Sequence, residues 1–174
     1  MPVTVRDATA DDARAIAEVH VASWRWAYRG QLPADHLEKL SVDDREAMWR
    51  SWLRDPDEGA AALVACDEGG RIVGFATAGP SGDLDATREV GELRAIYLLK
   101  EVQGTGVGLA LHEEALDRLR RAGFVRATLW VLESNELGRR FYERRGWNWP
   151  GTVGEFSFGD VSRPTRRYER GIAR

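Results

Sequence analysis

The order of patterns along the chain predicts a mixed α/β sheet. Three observations carry this. Two helical hydrophobic patterns occupy the first third. Apolar runs split by turn signals follow. A glycine-rich stretch, Gln103-Gly104-Thr105-Gly106-Val107-Gly108, then joins an apolar run to another helical pattern. At 174 residues the chain suits one domain, 1–174.

Taken in order, "VTVR" at 3–6 alternates and reads as an edge strand. "TADD" is a Thr-x-x-Asp start signal, and Ala13, Ile16, Ala17, His20 and Trp24 then recur at helical spacing, to about Tyr28. "RGQLP" breaks that helix. "SVDD" at 41–44 opens a second, with Met48, Trp49, Trp52 and Leu53 on one face, and "RDPDEG" ends it. "AALVACDEGGRIVGFATAG" is a hairpin turning at Asp67-Glu68-Gly69-Gly70, and "SGDLDATREV" is a polar loop. Residues 89–98 form a longer strand, and the glycine loop leads into a helix from about Gly106 to Ala122, facing the core with Val107, Leu111, Ala115 and Leu119 and capped by Gly123. "RATLWVL" is a strand, "NELGRRFYERRG" a short helix closed by Gly146, and "TVGEFSFGD" with "TRRYER" a last hairpin.

Composition excludes several function classes. Hydrophobic residues make up 43% and charged residues 30%, the balance of a globular protein, with no apolar run near the roughly 20 residues of a membrane helix. The acidic start "MPVTVRDATADD" lacks a signal-peptide core, so a cytoplasmic protein with no membrane partner is expected. A net charge of −3 gives no global drive toward nucleic acid. The lone cysteine, Cys66, excludes a disulfide framework and a cysteine-rich metal site; no metal is expected.

A glycine turn between strand and helix presents bare N–H groups at a helix N-terminus, a natural phosphate site. No Gly-Lys-Ser/Thr follows, so this is not a P-loop, and Leu109 replaces the third glycine of the dinucleotide fingerprint. Gln103-x-x-Gly106-x-Gly108 after "IYL" resembles the pyrophosphate loop of the GNAT superfamily of N-acetyltransferases. Asn135-x-x-Gly138-x-x-Phe141-Tyr142-x-x-x-Gly146-Trp147 resembles that family's second cofactor segment, where alanine is usual at position 138. The first strand and helix are similar too, so the resemblance spans nearly the whole chain.

The resemblance implies a mostly antiparallel sheet of about seven strands and four or so helices. Its two central parallel strands splay apart to admit the pantetheine arm of acetyl-CoA, the expected cosubstrate. Mapped here, those strands are about 89–98 and 127–131. Ile96, Tyr97 and Leu98 would line the arm, and the Leu98 N–H would polarise the thioester. Gln103, Gly104, Thr105, Gly106, Val107, Gly108 and Leu109 would hold the pyrophosphate. Asn135, which also suits a helix N-cap, would contact the arm beside Phe141 and Tyr142. One of Arg139, Arg140, Arg144 and Arg145 would meet the 3′-phosphate.

Transfer from a thioester to an amine needs a base for the ammonium and an acid for the leaving thiolate. The resemblance implies Tyr142 as the candidate acid, since the family commonly places a tyrosine there near the CoA sulfur. It implies Glu92, 11 residues before Gln103, as the candidate base, since it matches the strand glutamate that histone-type members use, with Glu89 behind it. Trp24 and Tyr28, neighbours on one helix, are the candidate acceptor walls or equally core residues; His20 reads as structural. The expectation is an N-acetyltransferase acting on a primary amine, with a small-molecule acceptor favoured over a protein. The rival is a non-catalytic acyl-CoA-binding module. Exposed sheet edges and tryptophan-rich helices are compatible with a homodimer.

Overall fold

A computed structural model describes residues 2–173. Its strands are β1 (Thr4–Asp7), β2 (Ala61–Cys66), β3 (Ile72–Pro80), β4 (Val90–Leu98), β5 (Arg126–Leu132), β6 (Val153–Phe158) and β7 (Val161–Gly171). Its helices are α1 (Ala13–Ala27), α2 (Ala34–Glu38), α3 (Val42–Arg54), α4 (Val107–Arg121) and α5 (Glu136–Glu143). The strands form one sheet in the order β1-β2-β3-β4-β5-β7-β6. Every pairing is antiparallel except β4 with β5, as the resemblance implies.

Local chemistry explains the element ends. Thr9 and Asp12 form a reciprocal capping box on a 3-10 turn that leads into α1. The Ser41 hydroxyl accepts from the Asp44 N–H at 3.2 Å and starts α3. At the end of α4, Gly123 takes φ +94° and the Phe124 N–H returns to the Leu119 carbonyl at 3.1 Å, satisfying a carbonyl the helix leaves free.

Two details differ from the sequence reading. "RGQLP" does end α1, but a short helix that the sequence reading did not include follows at once: Pro33 occupies the N-cap position of α2, its carbonyl accepting from the Leu37 N–H at 3.1 Å. Met48 does not join the buried face of α3. It is 41% exposed, whereas Trp49 is buried and Trp52 and Leu53 pack beside it.

The helices cover opposite faces. A Cβ on Gly74 or Gly91 would run into Leu111 or Leu119, so α4 lies directly on β3 and β4. On the other face, Phe75 and Tyr97 pack against His20 of α1, and Phe75 also packs against Trp49 of α3. Leu111, Ala115, Leu116 and Leu119 are buried completely or nearly so. Each such leucine contributes about 1.5–3 kcal/mol of apolar burial. Among the described residues no helix is long and apolar enough to cross a membrane.

Candidate active site

The parallel ladder between β4 and β5 is short. Val90, Gly91 and Glu92 pair with Arg126, Ala127 and Thr128, and the pairing stops there. On its other side β4 stays paired with β3 as far as Leu98, but with a bulge: Thr77 faces Ala95 and Ala78 faces Leu93, leaving Arg94 as the extra residue. A bulge bends its strand, and here the bend falls where β4 leaves β5. The result shows in burial. Ile72 to Gly79 of β3 are all buried, yet Ala95 to Leu98, in the middle of the sheet, are only half-buried.

The orientation of the free backbone groups follows. The Leu99 N–H donates to the Val73 carbonyl at 2.9 Å, so Leu99 points its backbone toward β3. Successive residues alternate, so Leu98 and Ile96 aim their N–H and C=O groups into the gap beside β5. Buried backbone groups without partners are costly, which makes this gap a place for a ligand with amides of its own.

The glycine loop closes one end of the gap. Gly104 and Gly106 take φ +73° and +95°, the left-handed region where side chains are strained, and a Cβ on either would meet no atom within 4 Å. The loop is thus a bare, open turn; Gln103 through Gly106 are exposed. The first intrahelical bond of α4 is Ala110 N–H to the Gly106 carbonyl at 3.0 Å. The N–H groups of residues 107–109 therefore point out of the helix end with its positive dipole. Gly108 brings the helix close to both neighbours, since a Cβ there would lie 3.2 Å from Leu98 and 3.5 Å from Phe141.

Helix α5 flanks the other side. Asn135 caps it, its side-chain oxygen accepting from the Gly138 N–H at 2.9 Å. The arginines on it and just after it divide by partner. Arg140 pairs with Glu136, and Arg145 stacks on Phe141 with its guanidinium carbon 3.7 Å from the ring centre. Arg139 and Arg144 have no ion pair among the described residues, which leaves them the freer candidates for an anion.

The two candidate catalytic groups sit apart. Tyr142 is half-buried, its ring 6.1 Å from that of Trp147 and 5.2 Å from that of Phe141. Its phenol makes no hydrogen bond to any described residue, and burial, then the neighbouring Tyr97, pushes its pKa up, so it is fully protonated at neutral pH. Glu92 stands at the closed end of the gap and accepts from the Gly82 N–H at 3.3 Å. Burial pushes its carboxyl up, the Gly82 bond opposes this, and Asp83 adds to the rise. Glu89 is exposed and, among the described residues, its carbonyl accepts from the N–H groups of Val125 and Arg126.

Trp24 and Tyr28 belong to an aromatic cluster that sequence spacing alone does not reveal. The Trp24 ring lies within 6.0 Å of those of His20, Tyr28, Tyr97, Phe156 and Phe158, which joins α1, β4 and β6. The Tyr28 and Tyr97 hydroxyls are 3.4 Å apart, and burial raises the pKa of both. His20 is structural: its Nδ1 accepts from the Trp49 indole at 3.1 Å, and burial lowers its pKa to about 4.

The same face of the sheet continues across β5 and β7. Trp130 donates to Asp83 at 2.9 Å, and its register partner Arg167 is held by Asp83 and, at 2.6 and 2.7 Å, by Asp85. This network ties the 81–89 loop down over the sheet. At the outer end a hollow of about 330 Å³ is lined by Gly30, Gln31, Glu133, Ser134, Arg163 and Pro164, directly before Asn135. Another, of about 420 Å³ between α1 and the β2–β3 turn, includes none of the motif residues.

Known proteins are similar to this chain in sequence and in fold. Residues 19–147 match the model of the acetyltransferase (GNAT) family. The Bacillus subtilis protein named uncharacterized N-acetyltransferase YuaI is 40% identical over 133 residues, covering 76% of this chain and 73% of that protein. The spermidine N(1)-acetyltransferase of Thermoplasma acidophilum is 22% identical over 88% of this chain and 93% of its own. Among solved structures, the PaiA N-acetyltransferase of Thermoplasma acidophilum in complex with coenzyme A superposes with a TM-score of 0.75 at 21% identity, covering 98% of this chain and 99% of that one. A glycine loop at a helix start, an opened pair of parallel strands and a family model spanning both agree: the chain belongs to the acetyltransferase (GNAT) family and is an acetyltransferase.

Proposed function

We propose that this protein transfers an acetyl group from acetyl-CoA directly to the primary amine of a small molecule. The observation that carries the reading is the end of the β4–β5 ladder at Glu92 and Thr128, beside a bare glycine loop. The pantetheine amides would complete the backbone groups of Ile96 and Leu98, and the N–H groups of residues 104–109 would hold the pyrophosphate. The solved PaiA protein, named with coenzyme A, supports this cosubstrate by its shared fold.

The chemistry follows from the residues. A backbone N–H aimed at the thioester oxygen stabilises the charge that develops there as the amine attacks. Glu92, its pKa raised by burial, accepts a proton from the incoming ammonium. At about 3.3 Å per residue, Glu92 lies about 13 Å along the strand from Ile96 and about 20 Å from Leu98. The proton therefore travels through water, and this spacing favours the Ile96 N–H over that of Leu98 as the thioester donor. Tyr142 donates its hydrogen bond, and then its proton, to the departing sulfur.

A small cationic acceptor suits the opposite face. Aromatic rings from α1, β4 and β6 form one wall, and Trp130 with Asp83 and Glu92 the other. The 81–89 loop is tied across that face, which suits a compact amine more than a protein surface. Incubating the protein with acetyl-CoA and a panel of amines, with mass detection of N-acetylated products, tests this. An acetylated small amine is expected. Acetyl-CoA binding without a product from any amine would move the reading to a binding module.

A further inference from the structure

Behind the glycine loop, α4 carries a histidine that the family motifs do not include. His112 is completely buried and sits one helical turn after Gly108. Its Nε2 accepts from the Trp147 indole N–H at 2.9 Å. An indole nitrogen only donates, so Nε2 must carry the lone pair and the ring proton must sit on Nδ1. From there it donates to the Glu113 carboxylate at 3.0 Å. The chain Glu113–His112–Trp147 thus runs from solvent into the core with each group satisfied.

The far end of this chain reaches the candidate acid. Trp147 follows α5 and is buried. Its backbone N–H bonds to the Tyr142 carbonyl at 3.3 Å, and its ring packs on Tyr142. His112 also meets the Phe141 ring edge-on at 5.9 Å. So α4, which presents the loop, and α5, which presents Tyr142, are joined through one buried polar contact. We propose that His112 is a positioning residue: as a neutral Nδ1–H imidazole it holds Trp147, and through Trp147 it sets the Tyr142 phenol against the gap. This rests on the reading of Tyr142 as the acid.

The surroundings keep the ring neutral. Burial is the main influence; Glu113 on the same helix opposes it, and Arg145 after α5 and Arg170 on β7 reinforce it. A proton on Nε2 would set two donors face to face and break the contact.

Four variants and one cycle test this: His112→Leu, which removes the acceptor; His112→Gln, which can return one near Nε2; Trp147→Phe, which removes the donor and keeps a ring; and Tyr142→Phe, alone and combined with His112→Leu. Tyr142→Phe alone tests the acid reading: an unchanged kcat sinks that reading. Given a slowed Tyr142→Phe, His112→Leu is expected to lower kcat about tenfold with acetyl-CoA affinity within about twofold, His112→Gln to recover most of the loss, and His112→Leu to cost nothing further in the Tyr142→Phe background. The same loss in both backgrounds, or none in either, overturns the proposal. If His112→Leu does not fold, Trp147→Phe replaces it in the cycle, with the same outcomes deciding.

Discussion

Glu92 of β4 and Thr128 of β5 form the last rung of the parallel ladder, and the Thr128 hydroxyl reaches back to the Gly91 carbonyl at 3.5 Å. Beyond that rung the strands part. The candidate base therefore sits at the hinge of the opening, where burial raises its pKa, the Gly82 N–H opposes this and Asp83 adds to the rise.

Glu92→Gln should lower kcat by about 100-fold, within the range of general-base contributions. The carboxyl acts when deprotonated and its pKa lies above the ordinary 4.5. Wild-type activity should therefore rise with pH through that raised value, and the variant should lose this acid limb. A pH–rate profile of both proteins checks it.

Tyr142→Phe should slow turnover by about 10- to 100-fold while the KM for acetyl-CoA changes by no more than about twofold. The phenol makes no hydrogen bond to a described residue, so its loss leaves no protein group unpaired. Steady-state kinetics with varied acetyl-CoA separates the two parameters.

Gly106→Glu places a Cβ at φ +95° and a carboxylate where the diphosphate is expected. Strain and like-charge repulsion act together, so acetyl-CoA affinity should fall at least about tenfold. Calorimetric titration measures this directly, and retained affinity would remove the loop assignment.

Asn135→Ala removes the cap of α5 and should cost about 1 kcal/mol of stability, read by denaturant unfolding. Gly138→Ala probes the same contact. A Cβ at 138 would stand 2.7 Å from the Asn135 Nδ2, so the asparagine must turn away. Both variants should raise the KM for acetyl-CoA if Asn135 also meets the arm.

His20 is neutral and buried, with a pKa lowered to about 4. The unfolded chain takes up this proton near pH 6.5, so the contribution is full above that value and lost as pH falls toward 4. Unfolding free energy should drop by about 3 kcal/mol over that window from this group. His20→Asn keeps an acceptor for Trp49 and should flatten the dependence; an unchanged slope would contradict it.

Much of the fold was legible because its signals are local. The capping residues of α1 and α3, the apolar face of α4 recurring every fourth residue and the turn at Asp67–Gly70 each declare themselves within a few residues. The glycine loop and the Asn135–Tyr142 segment were legible for the same reason. What stayed hidden depends on residues distant in sequence. The bulge at Arg94 exists only against β3. The cluster around Trp24 needs Phe156 and Phe158, more than a hundred residues away. The bond from Trp147 to His112 spans 35 residues and links two motifs that sequence presents as separate. A histidine at a core-facing helical position, with a tryptophan four residues past the end of the next helix, is the one signal that was available for it.

The central claim is that the space between β4 and β5 receives the pantetheine arm as a missing strand. Amide hydrogen exchange with and without acetyl-CoA tests it most directly. The account predicts new protection at Ile96 and Leu98 together with residues 104–109. Protection confined to the loop, with Ile96 and Leu98 exchanging as before, would contradict it.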